Sequence, residues 1–253
     1  MRLIKTSSKR AWVWAALLVV AAMSGGCASG PGANPRDPLE PLNRSVFKFN
    51  DAVDRAVLKP VANAYVDVAP ALVRKGVSNF FENIEDAWST VNNTLQFKGV
   101  AATESFFRFG INTFLGLGGV LDVATEMRID KHPKDFGHTL GFWGVGSGPY
   151  LVLPLLGPSS VRDGAARFVD AQADFAGGLQ HVPTRNVVTT VKLVDKRAGL
   201  LKVTNMVDQM ALDRYTFTRD SYLQSRQSAI FDGSPPDAAD ENKRYDAIEE
   251  VKP

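Results

Sequence analysis

Cysteine is almost absent: the 253 residues hold one, Cys27. An internal disulfide is therefore excluded, and the fold must stand on packing. Histidine is scarce as well. His132, His138 and His181 form no metal-ligand spacing, and neither HExxH nor CxxC occurs. The Gly-x-Ser-x-Gly elbow of esterases is missing; the nearest string, GPSSV at 157–161, lacks the second glycine. Gly116-Leu117-Gly118-Gly119 and Gly144-Val145-Gly146-Ser147-Gly148 complete neither the dinucleotide nor the Walker pattern. No strand pattern of any length and no internal repeat is visible. These absences leave no catalytic constellation, no metal site and no cofactor to expect. Charge of one sign is not in excess either, with 29 Lys and Arg against 27 Asp and Glu. Without a clustered basic surface, nucleic acid is not an expected partner.

What is present begins at the N-terminus. Residues 1–10 carry Arg2, Lys5, Lys9 and Arg10 with no acid; residues 11–23 are apolar; Ser24, Gly25 and Gly26 lead into Cys27. A basic head, a short apolar stretch and small residues are the layout of a secretory signal. The apolar run falls short of the roughly 20 residues a spanning helix needs. With cysteine following the small residues, the layout resembles a bacterial lipoprotein signal, in which the thiol takes diacylglycerol and the new N-terminus an acyl chain. Ser24 stands where such signals usually carry Leu, and the alternative is an ordinary secretory signal with a chance cysteine. Ala28, in place of Asp, favours the outer membrane over the inner one. Without the signal the chain holds 25 basic and 27 acidic residues, so the excess of positive charge belongs to the precursor. The expected organisation is a signal peptide (1–26), a lipidated flexible tether (27–36), a helical domain (37–231) and an acidic disordered tail (232–253), the last too poor in apolar residues to order.

Within the domain the periodicity is helical. Residues 37–57 place Val46, Phe49, Val53 and Val57 on one face, and Lys59-Pro60 is expected to break that helix. From Ala71 to Phe97, Val73, Val77, Phe80, Ile84, Trp88, Val91 and Leu95 recur at steps of three and four, which predicts a long helix with an ordinary core stripe. Glu82, Glu85 and Asp86 read as its solvated face. Residues 100–117 are apolar on nearly every side, with Glu104 and Arg108 the only charges. A helix of that kind is buried in a large core or in lipid. Residues 139–161 carry no charge but hold five glycines and three prolines. That excludes a continuous spanning helix and suggests a segment packed inside a helical body, a candidate channel lining. Helices are expected again over 161–175, 187–212 and 212–228.

Five strings, DPLEPLNRSVFKFND (37–51), LKPVANAY (58–65), GVSNFFENI (76–84), RFGINTFLGLGGVLDVAT (108–125) and FGHTLGFWGVGSGPYLVLPLLGPSSVRD (136–163), resemble the MlaA/VacJ lipoproteins in content, order and spacing. The resemblance spans roughly 37–231. It implies an all-α, ring-like helical body embedded in one leaflet of the outer membrane, with Gly/Pro-rich irregular segments, held on the periplasmic side by its lipid and bound to a trimeric porin. It further implies removal of misplaced outer-leaflet phospholipid through an amphipathic channel to a periplasmic carrier of the MlaC type. On that reading Phe106, Phe107, Phe109 and Phe114 could form the membrane rim. Gly116, Gly118 and Gly119 would form a mobile turn beside the channel, with Asp122 at its polar end; a plain helix-ending turn is the alternative. The alternatives are an outer-membrane lipid-modifying enzyme of phospholipase type and a structural porin-binding lipoprotein.

Overall fold

A computed structural model describes residues 34–234; the signal, Cys27, most of the tether and the last 19 residues lie outside it. The chain opens with helix α1 (Glu40–Val53), a π-helical turn (Asp54–Leu58) and α2 (Lys59–Val68). Two long helices follow, α3 (Ala71–Leu95) and α4 (Gly99–Phe114), then the short α5 (Val123–Glu126) and α6 (Phe136–Phe142). A hairpin of β1 (Tyr150–Leu153) and β2 (Gly157–Ser160) leads into α7 (Val161–Ala173) and α8 (Phe175–Gly178). The chain then forms α9 (Val182–Gly199), α10 (Leu201–Met210) and α11 (Arg214–Ile230). The class is all-α, as the sequence implied.

Several local expectations are corrected. Lys59-Pro60 does not break the first helix. The Lys59 N–H reaches back to the Asp54 carbonyl, a widened turn that moves the preceding carbonyls clear of the proline ring. Pro60 then occupies the first turn of α2, directly after the π-turn. The segment expected to be one helix over 187–212 starts earlier, at Val182, and divides at Leu200.

The Gly/Pro-rich run holds an antiparallel hairpin that the sequence did not announce, with Tyr150 opposite Ser160 and Val152 opposite Pro158. Two strands alone are marginal in water. Here α1 completes the outer edge of β1. Asn43 donates to the Tyr150 carbonyl (3.0 Å) and accepts from the Val152 N–H (2.9 Å). Asn50, two turns on, does the same with Leu153 (2.9 Å) and Leu155 (2.8 Å). The Tyr150 N–H donates to the carbonyl of Arg36, at the end of the expected tether. Asparagine side chains thus take the place of a third strand.

The apolar core is small. Tyr150, Val152 and Tyr215 form it, with Val46, Phe47, Tyr222 and Leu223 packed around them. Elsewhere among the described residues the interior is mostly polar, with Ala62, Ala124, Ala166, Ala176, Leu201 and Ile230 as the other buried apolar side chains. None of the seven apolar stripe residues of α3 is buried; its inner face is Gly76, Asn83, Asp86, Ser89, Asn92 and Asn93. Of the stripe, Val73 and Val91 are exposed and the other five are half-buried, so it packs only partly; Asp86 is buried, not solvated as expected. On α4 the buried residues are Ser105, Arg108 and Asn112, while Phe106, Phe107 and Phe114 are exposed. No described helix is long and apolar enough to cross a membrane.

Candidate functional site

The α3–α4 hairpin is joined by a polar spine. On α3 the positions Asn79, Asn83, Asp86, Ser89 and Asn93 recur at three and four, and Gln96 at the C-cap continues the row. On α4, Ser105, Arg108 and Asn112 repeat at i, i+3 and i+7. Asn83 donates to Thr113 (2.9 Å), Asn93 to the His132 carbonyl (3.0 Å) and Gln96 to Thr139 (3.0 Å).

Arg108, only 1% exposed, is the hub. Its Nε faces Asp86 Oδ2 (3.2 Å) and its Nη2 meets Asp122 Oδ1 (2.8 Å). Its Nη1 donates to Thr125 Oγ1 (3.1 Å) and to the Ile129 carbonyl (2.6 Å). The two carboxylates behave differently. Burial pushes the Asp86 carboxyl up to about 6, against the pull of Arg108 and Lys131. Burial would also raise Asp122, but hydrogen bonds from Thr125 and Asn112, with Arg108 beside it, hold it at about 2.

Asp122 also caps α5, which ends the turn in which Gly116, Gly118 and Gly119 sit. That turn is held by backbone hydrogen bonds from Gly118 to Thr113 (3.0 Å), Gly119 to Asn112 (2.8 Å) and Leu121 to Gly116 (2.9 Å). A side chain at Gly116 would meet the Leu121 carbonyl at 2.2 Å, and one at Gly119 would meet Asn83 at 2.6 Å. Gly118, at φ +74°, faces open space. Asp122 and the three glycines are thus brought together against the spine. Of the rim candidates, Phe114 is 86% exposed, Phe106 and Phe107 are exposed and in edge contact, and Phe109 is half-buried. Cys27 lies outside the described residues.

On the other side of α3 lies an apolar slot of about 610 Å³, bounded by Val73, Val77 and Phe80 of α3, Val120 of the glycine turn, and Val188 and Val191 of α9. Gly76 lets Val120 approach: a Cβ there would stand 2.9 Å from Val120 Cγ1. Asn79 donates to the Val120 carbonyl (3.0 Å). The glycine turn therefore touches the polar spine through Gly119 and the apolar slot through Val120.

A second polar cluster locks α6, α7 and α11 together. Asp163 accepts from Arg162 Nε (2.9 Å), Tyr222 (2.7 Å) and Arg226 Nη2 (2.9 Å), and Arg226 also binds Asp135 (2.5 Å). Although burial opposes it, the bonds from His138 and Arg226 hold the Asp135 carboxyl well below the usual range. His138 completes a capping box with Asp135. His132 pairs with Glu104 and His181 caps α9. Among the described residues no His, Cys, Asp and Glu group is arranged to hold a metal ion.

The sequence reading missed Arg108, Asp86 and the asparagines of α3. The signal was available as two facing polar stripes, but the apolar stripe drew the reading because it is longer.

Fold and site together define a helical protein with its polar groups turned inward and its large apolar side chains outward, an arrangement suited to a lipid-facing body. Comparison with known proteins agrees. Residues 35–229 match the family described as MlaA lipoprotein, and this chain belongs to that family. It is 37% identical over 205 residues to the intermembrane phospholipid transport system lipoprotein MlaA of Escherichia coli K12, covering 79% of this chain and 81% of that one. The Haemophilus influenzae protein of the same name is 34% identical over 231 residues, with 86% and 90% covered. A solved structure from work on the structural basis for maintenance of bacterial outer membrane lipid asymmetry superposes with a TM-score of 0.68 at 35% identity. It covers 77% of this chain and 98% of its own.

Proposed function

We propose that this chain is the outer-membrane lipoprotein of an intermembrane phospholipid transport system. Anchored through Cys27 on the periplasmic side and embedded by its apolar rim, it takes phospholipid misplaced in the outer leaflet. The lipid passes through an amphipathic channel to a periplasmic carrier of the MlaC type, beside a trimeric porin, and outer-membrane lipid asymmetry is maintained. The observation that carries this reading is the inverted packing: Arg108, Asn83 and Asn93 inside, Phe106, Phe107 and Phe114 outside. In water such a surface costs roughly 25 cal/mol for each Å² of apolar area left exposed; in a leaflet it does not.

A passing phospholipid needs polar groups for its headgroup and apolar ones for its chains. The Gly116–Asp122 turn borders both kinds of surface, which supports its place beside the path, with Asp122 at the polar end. Passage without bond cleavage requires no nucleophile, so the reading assigns no catalytic residue.

The test is complementation of a bacterium lacking its own MlaA-type lipoprotein. Wild-type protein is expected to lower surface-exposed phospholipid under envelope stress; unchanged lipid with normal protein levels would overturn the reading. Incubating purified protein with labelled phospholipid separates transport from lipid modification: lysolipid or free fatty acid would replace this reading with an enzymatic one.

A further inference from the structure

The slot between α3 and α9 is chemically one-sided. All its lining residues are apolar, and its volume of about 610 Å³ falls in the usual range for ligand sites. Water gains no hydrogen bonds in such a space. A peptide would bring backbone groups that the walls cannot satisfy, at a cost of several kcal/mol. A hydrocarbon chain has no such groups.

The ends of the slot differ. One turn past Val191, Asp195 of α9 accepts from Tyr65 of α2 (3.0 Å) and Ser78 of α3 (2.8 Å), so its carboxylate is spoken for within the fold. Beside Val191, Lys192 holds Asp174 at 2.9 Å and Glu85 at 3.7 Å, with its Nζ 5.9 Å from the ring of Phe81, itself a lining residue. One cation and two carboxylates therefore stand together at a partly exposed edge. That set complements a zwitterionic headgroup, with the phosphate toward Lys192 and the ammonium toward Glu85 and Asp174.

We propose that this slot seats one acyl chain of a phospholipid, with the headgroup at the Lys192 edge. The proposal rests on the phospholipid reading above and adds to it a residue-level site. A methylene fills about the volume of a water molecule, about 30 Å³, so a chain of about 16 carbons needs about 480 Å³ and two need about 960 Å³. The slot accepts one chain; the second stays outside, against the exposed apolar surface or in the leaflet.

The test uses the full lipidated protein in vesicles of phosphatidylethanolamine and phosphatidylglycerol. The probe is a phosphatidylethanolamine carrying a photoreactive diazirine at the end of one acyl chain. Labels are expected on residues 72–81 and 187–191, saturating at one probe per protein. Val188→Phe, which fills the slot, should weaken labelling there by about tenfold, the loss of roughly two buried methylenes. Unchanged labelling of 72–81 in that variant, with its melting temperature retained, would count against the seat. The wild-type map decides independently of any variant. Labels spread over Phe106, Phe107 and Phe114, rising with probe and showing no excess in the slot, would overturn the proposal. Complementation by wild-type protein together with such a map would overturn the slot alone; a saturable slot without complementation would overturn the transport reading alone.

Discussion

The hydroxyl of Tyr215 donates to the carboxylate of Asp37 at 2.5 Å, joining residues 178 positions apart. Asp37 is fully buried and also accepts from Asn43 (2.8 Å) and Arg219 (3.3 Å). The first described turn is thereby fixed to the last described helix. Tyr215→Phe removes one donor from a buried carboxylate. It is expected to cost about 1.5–3 kcal/mol, the range for hydrogen bonds to charged groups. A melting temperature unchanged from wild type would refute this.

Burial and the neighbouring carboxylates push the hydroxyls of Tyr215 and Tyr222 up, and burial raises Tyr150. Unfolded tyrosines ionise near 10. Folded tyrosines keep their protons longer, so their contribution to stability is full below about pH 10 and is lost as pH rises through the folded values. Denaturant titrations between pH 9 and 12 should show the loss, and Tyr215→Phe should flatten it.

Asp86 gives the opposite end of the pH scale. Its carboxyl is pushed up to about 6, while an unfolded Asp titrates near 3.9. Its contribution to stability is present below that lower value and is lost as pH rises through about 6. Asp122, Asp135 and Asp163 are held down and act in the reverse sense, so the comparison must be with a variant. The melting-temperature difference between Asp86→Asn and wild type should move in favour of Asn as pH is raised from 4 to 7.

Removing the hub is costlier. Arg108→Met leaves Asp86 and Asp122 facing each other without their shared cation, and breaking a buried pair in this way costs about 3–5 kcal/mol. Expression and thermal unfolding check it; a variant as stable as wild type would show that the spine is not held by this residue.

The glycine turn separates two effects. Gly119→Ala meets Asn83 at a distance no side chain tolerates, whereas Gly118→Ala meets nothing and bears only the strain of a positive φ, about 1–2 kcal/mol. Gly119→Ala should therefore destabilise the fold well beyond Gly118→Ala. Gly118→Ala, or a bulkier residue there, is the variant for asking whether turn motion matters to lipid passage: unchanged surface phospholipid at normal protein level would sink the gate.

Membrane affinity is tested at the rim and at the anchor. Phe114→Ser in protein lacking the lipid should weaken vesicle binding by about 10- to 150-fold, given roughly 1.5–3 kcal/mol for burying a phenylalanine. Cys27→Ala, if exported, should lose efficient sorting yet retain part of its membrane affinity. A well-folded variant found fully soluble in the periplasm would contradict the embedding.

Much of this was legible in the chain. Helical periodicity gave the long α3 to within two residues, since a 25-residue amphipathic pattern is hard to mistake. The five strings pointed to the family. The hairpin was not legible, because its ladder is completed by Asn43 and Asn50 from more than a hundred residues away. Pro60 misled for a related reason: a π-turn, a choice of register among neighbouring carbonyls, carries the helix past it.

By itself, then, the sequence determined that the protein is helical, how its apolar residues are spaced, and that its one cysteine stands at the end of a signal-like segment. Only the tertiary structure decided which side of each helix faces in. Periodicity locates two faces but carries no sign, and the sign depends on the solvent. In water the stripe of Val73, Phe80 and Trp88 would be the core; here Arg108 and its carboxylates occupy the interior because they satisfy one another, and the stripe is left exposed at Val73 and half-buried at Phe80 and Trp88, lining the slot against α9 in its first half.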